Sequence, residues 1–157
     1  MTNTPKLTTL AACRVAGLHR DRFNEHVAAG HFPCAPDTIP GRARLFSPDD
    51  MIALHLFREL LDDGFNAQRA GRIACEVALA AQLNPEETAI SYVENYFSGG
   101  SAHPASSVPA AEDWDKVIFS GVDIRKVTTF RIGKLRKLIA HYTDEERSII
   151  GEDDGAN

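Results

Sequence analysis

Five arginines, Arg14, Arg20, Arg22, Arg42 and Arg44, are the only Lys or Arg residues between positions 14 and 44, and they share that stretch with His19, Asn24 and His26. These side chains can read and hold nucleic acid. A guanidinium bonds guanine in a bidentate manner, a carboxamide does the same to adenine, and both types also meet phosphate. Their acidic company is Asp21, Glu25 and Asp37. Catalytic spacing is missing by comparison: the chain has no GxSxG, no GxxxxGK followed by Ser or Thr, no HExxH and no GxGxxG. The Asp49-Asp50 pair suits helix capping, and Asp62-Asp63 falls at a helix end. No enzymatic activity and no cofactor are expected. Cys13, Cys34 and Cys75 are odd in number, far apart and never arranged as CxxC. That pattern argues against a disulfide framework and a zinc or other metal site, and for a reducing compartment. Cys13 and Cys75 lie among alanines and leucines and read as small core residues, whereas Cys34 in a proline-rich loop is the exposed thiol.

The elements that must position these residues belong to a chain of ordinary globular composition. Of its 157 residues, 43% are hydrophobic and 25% charged, enough to bury a core unaided. No apolar run reaches about 18 residues, and the first residues lack the basic-then-apolar pattern of a secretory signal. A cytoplasmic protein with no membrane partner is expected. The net charge of −5 is unevenly spread. Residues 1–72 carry +1 and residues 73–157 carry −6, so the acidity lies away from the arginine cluster.

Thr8 or Thr9 caps a first short helix that Gly17 ends, and His19 to Ala29 reads as a second with Phe23 and Val27 inward. Three prolines make 31–41 a loop, and Arg42 to Phe46 alternates like a strand closing a small hairpin. Ser47 as N-cap, Pro48 at the first helical position and Asp49 and Asp50 in the first turn open a helix whose apolar stripe ends at Gly64. Asn66 caps an alanine-rich helix over 67–82, and Asn84-Pro85-Glu86-Glu87 predicts another to Phe97. Residues 98–112 read as a linker, 117–119 and 127–130 as a hairpin, and 134–142 as a helix. Thr143 to Glu146 has the form of a capping box for a last short helix.

Two short helices, an arginine-bearing hairpin and a capped helix pair make the order of a winged helix-turn-helix. The second helix would present Arg20, Arg22, Asn24 and His26 to a major groove, with His19 at its start, while Arg42 and Arg44 on the wing and Arg14 on the first helix meet backbone. Four blocks carry a more specific likeness: Gly17 to Phe23, then Gly30-His31-Phe32-Pro33, then Arg44-Leu45-Phe46-Ser47-Pro48-Asp49-Asp50, and finally Gly64-Phe65-Asn66. Over about residues 7–80 these resemble the MerR-type transcriptional regulators of bacteria. That family usually places an arginine and two tyrosines where this chain has Asn24, Glu25 and His26. The resemblance implies a sequence-specific regulator acting as a homodimer on a palindromic operator. Its partners would be double-stranded DNA, a second copy of the chain and, as a further candidate, RNA polymerase.

The expected fold class is mainly α with small β elements: a winged helix-turn-helix domain (7–82), a connecting helix (83–97), a linker (98–112), a small α+β region (113–150) and a flexible tail (151–157). Ile90, Val93, Tyr96 and Phe97 on the connecting helix offer a dimer surface. Arg125, Lys126, Arg131, Lys134, Arg136 and Lys137 read as a solvated face, with a second nucleic-acid surface as the alternative. Two other functions stay open: a winged-helix protein-interaction module without DNA binding, and an excisionase-like DNA-architecture factor.

Overall fold

The computed structural model describes residues 6–38, 40–42 and 44–150, the side chains of 148–150 excepted. It is a mixed α/β protein, rich in helix, with two small antiparallel sheets. Strand β1 (Leu7–Thr8) leads into α1 (Thr9–Ala16), whose N-terminus is closed by the Thr8 hydroxyl accepting from the Ala11 N–H at 3.3 Å. Gly17 ends α1 with φ +81, a left-handed conformation that costs glycine least. Helix α2 (Arg20–Ala28) follows, and Phe23 is its one fully buried residue. Strand β2 (Leu45–Phe46) then pairs with β1, Leu7 opposite Phe46. The strand near the arginines therefore closes against the start of the chain and not within a local hairpin. Ala43, counted in that expected strand, lies outside the described residues.

Helix α3 (Pro48–Asp62) opens on a complete capping box. The Ser47 hydroxyl accepts from the Asp50 N–H at 3.2 Å, and the Ser47 N–H donates to the Asp50 carboxylate at 2.8 Å. Asn66 caps α4 (Ala67–Leu83) through the Arg69 N–H at 2.8 Å. The two helices pack along their length and bury Ile52, Leu56, Phe57 and Leu60 against Ala70, Ile73, Ala74 and Val77. Phe23, Phe32, Phe46 and Phe57 meet in one aromatic cluster, with ring centroids 5.2 Å apart for Phe23–Phe32 and 5.1 Å for Phe32–Phe57.

The second half departs from the sequence expectation in five places. The segment expected as a connecting helix is strand β3 (Ala89–Asn95), the centre of a sheet ordered β4-β3-β5. Its Ile90, Tyr92 and Val93 favour a pleated surface, and residues 90–94 are buried without alternation, the polar Ser91 and Glu94 included. Asn84 does not start a helix; its carboxamide donates to the Ala80 carbonyl at 2.8 Å and ends α4. The expected linker holds β4 (Gly100–Pro104) and two 3-10 turns, Ala105–Ser107 and Ala111–Lys116. The expected hairpin does not form: β5 (Ile124–Arg131) pairs with β3, while Phe119 bridges only Val122.

Finally, α5 runs unbroken from Ile132 to Ile150, through the expected capping box. Ile132, Ile139, Thr143 and Glu146 are buried at helical spacing, so packing continues where local chemistry offered a stop. The chain 151–157 lies outside the described residues. No helix among the described residues is long and apolar enough to cross a membrane.

Ion pairs and caps tie the second half to the first. Glu94 of β3, nearly buried, bonds Arg69 of α4 and has Arg125 and Lys126 of β5 at 4.0 Å. Arg136 of α5 donates to the Ala81 and Glu87 carbonyls at 2.8 and 2.9 Å, where α4 ends. Of the basic stretch read as a solvated face, Arg125, Lys126, Arg131, Lys134 and Lys137 are exposed, and Arg136 is half-buried. Of the expected dimer surface, Ile90 and Val93 are core residues, while Tyr96 and Phe97 stand exposed at the β3–β4 turn.

Candidate nucleic-acid interface

The burial of α2 decides which of its side chains face outward. Phe23 is buried and Val27 and His26 are half-buried, which sets the inner face. Successive residues turn about 100° around a helix, so the opposite face is centred on Asp21, Glu25 and Ala28. Arg22 and Asn24 flank that centre on either side, and all five are exposed. Arg20, in the first turn, is half-buried with its Nε 3.6 Å from the Asp21 carboxylate. His19 is exposed at the N-cap position and makes no capping hydrogen bond.

Two of the expected contact residues have protein partners in this geometry. His26 does not look outward: its ring meets Phe57 edge-on at 5.3 Å, and its Nδ1 lies 3.4 Å from the Nδ1 of His31. Burial, with the charges of His31 and Arg22 adding to it, holds its imidazole below the usual histidine range. Arg14 is committed to an ion pair, its Nη1 2.8 Å from the nearly buried Glu146 carboxylate of α5. That partner lies 132 residues away, beyond the reach of any local pattern.

Arg42 is exposed on the proline-rich loop, and Arg44 is half-buried with its Nη1 donating to the Pro36 carbonyl at 2.6 Å. The last contact leaves Arg44 less free than Arg42 to reach a phosphate. The outward set therefore comprises Arg22, Asn24, His19 and Arg42, with Arg20 and Arg44 partly engaged and an acidic pair in the centre. Sequence periodicity anchored on Phe23 could have exposed that acidic centre, because Asp21 and Glu25 are four apart.

The loop also holds a covalent link that runs against the sequence expectation. Cys34 and Cys75 form a disulfide, with Cα atoms 5.6 Å apart, across 41 residues of chain. Cys34 was expected to have no partner nearby and Cys75 to be inert core; only Cys13 is a free, buried thiol, pushed by burial up to about 12. Comparison with protein-family models and with curated proteins finds no match for the chain.

Proposed function

We propose that the chain binds double-stranded DNA through α2 and the loop that precedes β2, as a MerR-like, sequence-specific regulator of transcription with a winged helix-turn-helix domain, acting as a homodimer on a palindromic operator. The observation that carries this reading is α2 itself: a nine-residue helix with one fully buried residue, presenting Arg22 and Asn24 beside a loop that carries exposed Arg42. A helix so little buried is held in place by Phe23 and offers most of its surface to a groove. Glu25 at the centre of that surface can accept from a cytosine amino group, and Arg22 and Asn24 can read guanine and adenine.

The acidic centre also favours a second reading, a protein-docking module whose partner presents cations. Selection of bound duplex from a random pool, followed by a salt titration of the winner, separates the two. DNA binding should weaken steeply with salt, because phosphate contacts release counterions. Arg42→Ala should weaken binding to every duplex alike and reduce the salt slope by about one unit. Arg22→Ala should relax preference at one base position by about 1–3 kcal/mol. Glu25→Gln should raise affinity for non-cognate duplex by removing a repulsion. A chain that retains no duplex at low salt would leave the docking reading in its place.

A further inference from the structure

The turn between β3 and β4 holds two aromatic side chains in water: Tyr96 is 66% exposed and Phe97 88%. The turn itself is fixed. The Asn95 carboxamide oxygen accepts from the Phe97 N–H at 2.7 Å and from the Gly99 N–H at 3.2 Å, and the Asn95 N–H donates to the Gly99 carbonyl at 3.0 Å. Within these bonds Ser98 sits at φ +66, a conformation uncommon outside glycine. Gly100 then seats β4 directly on Tyr92, whose ring atoms lie 2.5 Å from where a Cβ would stand. None of these bonds uses the ring of Tyr96 or Phe97, so the turn displays both.

Cations gather at the base of the same turn. Glu94 lies opposite Lys126 and Asn95 opposite Ile124, which leaves Arg125 as the extra residue of a bulge. Bulges re-aim side chains. Here Arg125 reaches the carboxylate that Lys126 also reaches, each 4.0 Å from Glu94, and its Nε donates to the Asn95 carbonyl at 3.3 Å. Arg69 of α4 bonds Glu94 as well. Arg125 and Lys126 remain exposed while Glu94 is nearly buried, and the neighbouring carboxylate in the chain is exposed Asp123, just before β5. Cations therefore outnumber carboxylates beside the two rings.

We propose that the Tyr96–Phe97 turn is a stacking site for the bases of single-stranded nucleic acid, with Arg125 and Lys126 meeting the adjoining phosphates. An exposed ring offers its flat face to any base, whereas a base inside a duplex has its faces covered by its neighbours, so the unpaired strand is what fits. A preformed turn spares the entropy of ordering the rings on binding. An apolar pocket on a partner protein would cover the rings but gain nothing from Arg125 and Lys126, which a phosphate backbone pairs with directly. Stacking uses the face that all bases share, so weak sequence preference follows, and deoxyribose and ribose strands offer the same chemistry. The site shares no residue with the α2 surface and does not rest on duplex binding.

The test titrates the full chain into short fluorescein-labelled oligothymidylate and oligouridylate at low salt and reads anisotropy. Both strands should bind. Phe97→Ala and Tyr96→Ala should each weaken binding about tenfold with an unchanged circular dichroism spectrum, because both rings lie in solvent. Lys126→Gln should reduce the slope of log affinity against log salt by about 0.7, the value of one phosphate contact on a single strand. Phe97→Trp should keep the affinity, and the emission of the added indole should be quenched when a base stacks on it. Binding of one strand type alone would uphold the site and name its sugar. Two unbound strands, or strands bound equally well by both alanine variants, would overturn the proposal. So would a dimer that Phe97→Ala turns into a monomer with no change in strand affinity, which would give the rings to a second copy of the chain.

Discussion

Gly71→Ala should destabilise the protein by more than about 3 kcal/mol, although alanine is the better helix former by about 1 kcal/mol. Gly71 lies in the middle of α4 and is fully buried. A methyl group built there would stand 1.6 Å from the His31 carbonyl oxygen and 2.7 Å from its carbon. Both atoms are backbone, so no side chain can swing aside to make room. Relief requires α4 to move away from the 31–32 segment, and Phe32 is wedged between Phe23 and Phe57 in the core. The clash therefore outweighs propensity by a wide margin. Urea unfolding of wild type and variant measures the difference directly. A midpoint equal to or above that of the wild type would mean that α4 and this segment are not in contact.

The second large effect is on acid stability, and it belongs to His55. This residue lies on α3 with its Nε2 buried and no hydrogen-bond partner among the described residues. Burial first, and the Arg58 charge second, push its imidazole down to about 4. In the unfolded chain the same group takes its proton near pH 6.5. Between those values the unfolded state binds the extra proton, so stability is fully present above about 6.5 and is lost as pH falls towards about 4. The loss amounts to about 3 kcal/mol at most. Lowered His26 and His103 act in the same direction, whereas Glu59 and Glu76, raised by burial, act in the opposite one. Comparison with His55→Gln isolates the one group, because the others titrate in both proteins. Urea unfolding at pH 7.5, 5.5 and 4.5 should give a steeper loss for the wild type than for the variant. Parallel pH profiles would mean that the imidazole reaches solvent.

The features read correctly from the sequence are those decided within a few residues. Thr8, Ser47 and Asn66 cap their helices, and Gly17 and Gly64 sit in left-handed turns, at φ +81 and +98, past a helix end. Each depends on a side chain three or four positions from its partner, or on the one residue type that tolerates positive φ. Phe23 inward with Arg22 and Asn24 outward follows from the same short-range periodicity.

Only the tertiary structure decided the rest. Asn84-Pro85 and Thr143 to Glu146 had the local chemistry of helix starts. The first ended α4 and led into strand 89–95, whose two faces are covered, and the second stayed mid-helix because Thr143 and Glu146 are packed against the body. His26 turned inward onto Phe57, Arg14 went to Glu146, and Cys34 to Cys75. Those partners lie from 31 to 132 residues away, and the free energy that selects them arises from burial, which a sequence window of one helix turn does not contain.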